Sequence, residues 1–450
     1  MRLFNQLLAE RSIEVAHTGG EAEYTGRYLV LLEEGSGQDA IDAVSDAGQL
    51  NVMSASPDGD EISSDQIREA DAVVFPAIDV ALVDAPPSSV KGLTVATTER
   101  SPILAVEPER IVHVAGVSVF DMLAAESPAA ETHEVSPEYR HGYRDAILDL
   151  TGARAPEETT LRLDDHVTAE AATTWGLTAV GVGASTRTAS GIKVAVLDTG
   201  FYRGHDDFQG RTIQSMSFIS GETVEDGHGH GTHCIGTACG PTTSQQGRYG
   251  IASDCDIFAG KVLSNGGSGG DGGILAGIDW AVRSGCRVIS MSLGSRVRAG
   301  QRPSTVYENA ARRALQKGSL IVAAAGNDSA RPRMTSPVSH PANCPSIMAV
   351  GAVDSRMKIA PFSNRAMNPN GGEVNLVGPG VLVNSSWIEP QRYRRISGTS
   401  MATPHVAGVA AVICEETGQR GLQLAWEMLR RCRNVGLSVA DGGRGLVRVN

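Results

Sequence analysis

A chain of 450 residues, 41% apolar and 20% charged, is long enough for two cores and has the composition of a water-soluble globular protein. Its net charge of −12 argues against nucleic acid as a partner, because phosphate binding needs a basic face. No stretch approaches the ~20 consecutive apolar residues that cross a bilayer, so no membrane partner is expected either.

The chain opens MRLFNQLLAER, with charges where a secretory signal needs a continuous apolar core. The expectation is a cytoplasmic protein as synthesised, with non-classical export left open. A strand-like run follows at 26–32 (GRYLVLL), then helical spacing at 38–47, then runs rich in β-formers at 72–83 and 103–114. Strands mixed with one or two helices in so short a span predict a small α+β domain over residues 1–114.

Residues 115–174 are polar and rich in Ala, Glu, Ser and Pro, with one helical pattern at 137–150, and read as a linker. From 175 to 450 short apolar runs alternate with helical patterns. The runs are 192–197, 257–263, 287–293, 319–325 and 346–353, and the helices 273–283 and 305–317. Continuous apolar runs belong to parallel strands covered on both faces. The expectation is an α/β fold, a doubly wound and mainly parallel sheet with its site at the carboxyl ends of the strands. Most of the 52 glycines fall in this part, which predicts many tight turns and loop-built clefts. All seven cysteines also lie after residue 230, with no CxxC pair, which predicts buried thiols in a reducing compartment.

Four places carry chemistry. Asp198 ends a buried run where the chain must turn, so it either caps the bend or orients a histidine. In Asp226-Gly-His228-Gly-His230-Gly-Thr-His233, a histidine at a helix start suits a base better than a metal site. Ser400 precedes the apolar run 406–413, so it either caps that helix or offers a hydroxyl beside free N–H groups. Asn327 ends another buried run and supplies a turn or an oxyanion donor. The order Asp, His, Ser is that of subtilisin-type triads, and Ala402 rules out a GxSxG elbow.

Val196-Leu-Asp198-Thr-Gly200, His230-Gly-Thr-His233 and Gly398-Thr-Ser400-Met-Ala-Thr-Pro404 resemble the three signature blocks of the subtilase family. The likeness extends from residue 175 to the C-terminus. It implies a serine endopeptidase with Asp198, His230 and Ser400 as triad and Asn327 as the oxyanion amide. It implies that Gly267, Ser268 and Gly269 on one side, and Ser292, Leu293 and Gly294 on the other, flank bound peptide. Ala324, Ala325 and Gly326 would line a pocket for an apolar P1 side chain, the residue whose carbonyl is attacked, and Ser339 would lie near its floor. Cys234 matches the thiol of proteinase K-like members. No cofactor is required for the chemistry; a structural calcium is possible, with Asp207 the one matching ligand. Region one resembles the family's inhibitor-type propeptide, of ferredoxin-like α+β fold. That implies a self-inhibited, autoprocessed zymogen, a monomer, whose maturation site falls in the linker. Two rivals remain: a catalytically dead subtilase acting as a binding module, and a dinucleotide-binding protein with GxGxxG at 267–272.

Overall fold

The computed structural model describes residues 22–54, 64–98, 100–114 and 173–450. The linker expected at 115–174, its maturation site and the helix expected at 137–150 therefore lie almost wholly outside the described residues.

The first unit is a five-stranded sheet: β1 (Tyr24–Leu32), β2 (Val52–Ser54), β3 (Ala72–Phe75), β4 (Val80–Val83) and β5 (Ile103–Val114), ordered β5-β1-β4-β3-β2. Only β2 and β3 run parallel. Among the described residues three helices complete it: α1 (Gly37–Gly48), α2 (Ser64–Glu69) and α3 (Pro87–Ala96). Strand alternation gives the sheet two apolar faces. Val30 and Leu32 pack with Val44 of α1 and Leu93 of α3, whereas Leu29 and Leu31 join the core of the second unit. The β-rich run 72–83 is a hairpin of two strands, because Pro76 offers no ladder N–H and Asp79 turns the chain at φ 46°.

The second unit is a seven-stranded parallel sheet. In chain order its strands are β6 (Lys193–Asp198), β7 (Ile213–Ser217), β10 (Asp256–Lys261), β12 (Val288–Met291), β14 (Leu320–Ala324), β15 (Met348–Val353) and β16 (Leu376–Pro379). Their spatial order is β16-β15-β14-β12-β6-β10-β7. Interspersed short strands are β8 (Thr242–Thr243), β9 (Gly247–Arg248), β11 (Ser268–Gly270), β13 (Leu293–Gly294), and the closing hairpin β17 (Val383–Ser386) and β18 (Tyr393–Ile396). The continuous apolar runs are explained by burial on both sides: Val194 and Val196 of β6 enter one core cluster, Ala195 and Leu197 the other. Helices α4 (His230–Cys239), α5 (Asp271–Arg283), α6 (Thr305–Gln316) and α7 (Thr399–Thr417) cover the faces. Helix α7 starts seven residues before the apolar run at 406–413, so Ser400 lies inside its first turn.

The two units meet along α5, α6 and the end of β5. Residues Ile111–Val114 run between β11 and β13, antiparallel to both, with Gly269 opposite Val112 and Gly294 opposite His113. Glu109 accepts the Gly272 N–H at the start of α5 (2.7 Å), and Glu107 accepts the Thr305 N–H (2.7 Å) and the Ser304 hydroxyl (2.6 Å) at the start of α6. Both carboxylates thus satisfy orphan donors at positive helix ends.

Candidate active site

Asp198 is the last residue of β6, and its carboxylate is buried. The next turn needs Gly200: its φ is 111°, and a Cβ there would lie 2.3 Å from the Val224 carbonyl oxygen. Gly231, in the first turn of α4, lies against that same turn, where a Cβ would sit 2.3 Å from the Gly200 oxygen. Two glycines thus bring strand end and helix start into backbone contact. Asp198 Oδ1 then meets His230 Nδ1 at 2.7 Å while also accepting the Thr199 N–H at 2.8 Å. Burial works against a charged His230 imidazole, but the adjacent Asp198 carboxylate supports it, and the net direction is well above the ordinary histidine value. His230 Nε2 is buried and makes no hydrogen bond among the described residues.

Ser400 enters on α7, preceded by Gly398 in extended backbone. Pro404 cannot return an N–H to the Ser400 carbonyl. That oxygen instead accepts the Ser292 hydroxyl at 2.8 Å and lies 3.6 Å from Cys234 Sγ. Ser400 Oγ in turn donates to the Ser292 carbonyl at 3.3 Å. Asn327, just past β14, accepts the Thr399 N–H (2.8 Å) and the Thr399 hydroxyl (2.9 Å) through Oδ1. This fixes the amide so that its Nδ2 end faces Gly398, 3.2 Å from where a Cβ would be. The N–H groups of a helix start and a fixed side-chain amide stand together there, as an oxyanion site requires.

The expected peptide-flanking segments stand on both sides of β5. Val114 donates its N–H to the Gly267 oxygen at 2.9 Å; Ser268 pairs with His113, Gly269 with Val112, Leu293 with Val114 and Gly294 with His113. Ser292 is buried next to this ladder, touching Ser400 rather than β5. Ala324, Ala325 and Gly326 are buried, and a Cβ on Gly326 would fall 2.2 Å from Ser339 Oγ. Ser339 is bonded to Asp328 Oδ2 and Asn364 Nδ2, both at 3.2 Å, so a polar cluster backs that wall.

The remaining histidines do other work. Burial, then His230, drives His233 down to about 3, and it hydrogen-bonds Val383 and Arg394 carbonyls at 3.1 Å as a neutral ring. His228 is half-buried edge-on to His230, with a value lowered by burial and then by His230. Burial raises the Cys234 thiol, so it stays protonated 3.9 Å from His230 Nδ1 and packs beneath the pair. All seven cysteines are free thiols.

Sequence reasoning missed two buried charged groups. Asp226 accepts the Thr199 hydroxyl (2.9 Å), the N–H groups of His228 (3.0 Å), Gly229 (2.9 Å) and Thr232 (2.9 Å), and the Thr232 hydroxyl (2.7 Å). Thr199 Oγ1 also accepts the Gly231 N–H at 2.8 Å, so the Asp198 turn and the His230 helix are tied through one carboxylate. An acid four residues ahead of a helix-start histidine was the available signal. Lys261, at the end of β10, is buried and donates to the Thr199 oxygen (2.5 Å) and Asn265 Oδ1 (2.8 Å), beside Glu222 at 3.1 Å.

Asp207 does not fit a calcium ion. Its Oδ2 accepts Tyr249 OH at 2.5 Å and its Oδ1 accepts Tyr393 OH at 2.8 Å, so hydroxyl protons point where the cation would stand. Among the described residues the one cluster of metal-binding side chains is Asp198, His230 and Cys234. The GxGxxG at 267–272 cradles no phosphate: the Gly272 N–H is taken by Glu109, and β5 runs along the glycines.

A family model described as "Subtilase family" matches residues 189–433. Subtilisin DY of Bacillus licheniformis is 37% identical over 262 residues, covering 57% of this chain and 89% of its own length. M-protease of Shouchella clausii is 38% identical over 299 residues, covering 63% and 73%. Subtilisin Savinase of Lederbergia lenta is 40% identical over 243 residues, covering 53% and 83%.

Proposed function

The chain belongs to the subtilase family and is a subtilisin-like serine endopeptidase, and from that premise we propose that Asp198, His230 and Ser400 form its triad, with Asn327 as oxyanion donor. Ser400 Oγ attacks the scissile carbonyl and gives its proton to His230 Nε2. Asp198 holds the Nδ1–H and stabilises the imidazolium. The developing oxyanion is met by Asn327 Nδ2 and the Ser400 N–H. The C–N bond then breaks, the leaving amine takes the proton from His230, and water hydrolyses the acyl-enzyme through the same base. The observation that carries the reading is the buried 2.7 Å contact between Asp198 and His230 beside the start of the Ser400 helix.

The substrate is an extended peptide held as the middle strand between Gly267–Gly269 and Ser292–Gly294. β5 already runs there, which supports the second part of the proposal. Residues 1–114 are an inhibitor-type propeptide, whose described part is of ferredoxin-like fold, and the chain just past its last strand is cut by its own protease. Leu293 pairs with Val114 and Gly294 with His113. Leu293 is preceded by Ser292, whose carbonyl accepts the Ser400 hydroxyl, and on that ground Ala115, next in sequence after Val114, is taken as P1. The maturation cut is accordingly assigned between Ala115 and Gly116. Alanine at that place suits the wall of Ala324, Ala325 and Gly326, which Ser339 backs closely, so the preferred P1 side chain is small and apolar.

The test is the fate of the full chain. The parent should convert to two fragments, the first ending at Ala115 by mass, while Ser400→Ala stays whole. A fluorophosphonate should label Ser400 of the matured parent. Self-cleavage by Ser400→Ala at the parental rate would remove the triad assignment. An unlabelled, uncut parent would instead favour the binding-module reading.

A further inference from the structure

The ladder between β11 and β5 ends abruptly. Ser268, Gly269 and Gly270 pair with His113, Val112 and Ile111, and then the chain turns into α5 at Asp271. A helical residue has no strand-like backbone left to offer the next N–H of β5, that of Arg110. The Asp271 side chain takes its place: Oδ2 accepts the Arg110 N–H at 3.1 Å. This carboxylate is not a mobile surface group. Its Oδ1 is held by His340 Nε2 at 3.0 Å, and its own backbone oxygen accepts Tyr307 OH at 3.1 Å. Tyr307 stacks edge-on against His340 with ring centroids 4.6 Å apart. Asp271, His340 and Tyr307 are each buried. An acid in the first turn of α5 is also favoured by the helix dipole.

We propose that Asp271, positioned by His340, forms the outer end of the peptide-binding strand, accepting the main-chain N–H of the residue five places before P1 in any bound substrate. The inference rests on the reading of the cleft given above, in which Ala115 is P1 and Arg110 stands five places before it. It defines a substrate class. Extended polypeptide segments with at least six residues on the acyl side are favoured, and proline at the sixth is disfavoured because it has no N–H. A carboxylate accepts such a bond more strongly than a carbonyl would, and here it does so from a site closed to water. The contact involves only main chain, so it adds affinity for length without reading sequence.

The experiment uses the matured protease and three internally quenched peptides with alanine at P1. One is acetylated at the fifth residue of the acyl side, one extends to the sixth, and one extends equally far but carries an N-methyl on the sixth residue's amide. The expected kcat/KM for the full six-residue peptide is about tenfold above both others. In Asp271→Ala the N-methyl penalty should shrink to less than about twofold, and Asp271→Asn should fall between. Cleavage of all three at equal rates by the parent overturns the proposal even if no variant folds. A penalty that persists in Asp271→Ala also overturns it, because the acceptor would then lie elsewhere. Failure to cut any of the three would be a different result: it would bring down the peptidase reading of the cleft itself, and this inference with it.

Discussion

Pro404 and Ser292 together show how single residues set Ser400, the proposed nucleophile. A proline in the first turns of α7 removes the N–H that would have bonded the Ser400 carbonyl, and the Ser292 hydroxyl replaces it at 2.8 Å. Ser400 is thereby tied to the segment that also flanks β5. Asn327 is fixed in the same manner, by two donors from Thr399 on its Oδ1. Under the proposed function its Nδ2 is therefore preorganised for the charge that develops on the substrate. Asn327→Ala should lower kcat by about 10²–10³ with KM nearly unchanged, because the contact is made only in the transition state. Steady-state kinetics on one small P1-alanine peptide decide it; a change confined to KM would make Asn327 a ground-state binding residue. These positions were legible in the sequence because each sits at a local break, a strand end or a helix start, that its own neighbours announce. Lys261 was not, because its partner Thr199 is 62 residues away in sequence; for Asp226 only the local half, its bonds to residues 228–232, could have been read, since Thr199 stands 27 residues away.

At the scale of elements, the site depends on how α4 docks on the end of β6. Gly200 and Gly231 allow backbone contact, but contact alone sets no rotation of the helix. Asp226 does, since its five accepted hydrogen bonds join Thr199 to the first turn of α4. Asp226→Ala would leave several buried donors without partners, a loss of about 2–4 kcal/mol in stability, and would loosen His230 relative to Asp198. Both unfolding midpoint and kcat should fall, and Asp226→Asn, which retains one oxygen, should recover part of each. Parental stability and turnover in the alanine variant would show that the glycine contact suffices. The sequence conveyed the five inner strands of the parallel sheet within about two residues, since burial on both faces leaves uninterrupted apolar runs; it did not mark the two edge strands, the half-buried β7 and the four-residue β16. It merged β3 and β4 into one run, because the turn between them, Pro-Ala-Ile-Asp, is apolar apart from Asp79 and buried at Ala77 and Ile78. The turn is apolar because it is seated on the second unit, which local sequence does not reveal.

That seating matters for the molecule as a whole. Arg313 of α6 is a fully buried arginine at the junction of the two units. Its guanidinium donates to the carbonyls of Leu32 (2.6 Å), Ile78 (2.7 Å) and Asp79 (3.0 Å), and lies 3.4 Å from the Asp79 carboxylate. On the neighbouring helix, Asp279 accepts the Ala77 N–H at 2.7 Å. One turn of the first unit is thus gripped from both sides, away from the strand that enters the cleft. Under the proposed function, cutting after Ala115 would leave these contacts intact, so the first unit would remain bound and activity would lag behind cleavage. Arg313→Met keeps the apolar stem and removes the donors to the Leu32, Ile78 and Asp79 carbonyls, together with the cation beside the Asp79 carboxylate, within the bound state. In the separated protease the same position faces water, where the substitution costs little. Binding of the first unit should weaken by about two orders of magnitude, so activity should appear with a much shorter lag after the cut. Mass spectrometry follows the cut and a peptide assay follows the activity, in the same sample of full-length chain. If Arg313→Met shortens neither the lag nor the residence of the first unit, inhibition is governed by the β5 strand in the cleft and the helix caps alone.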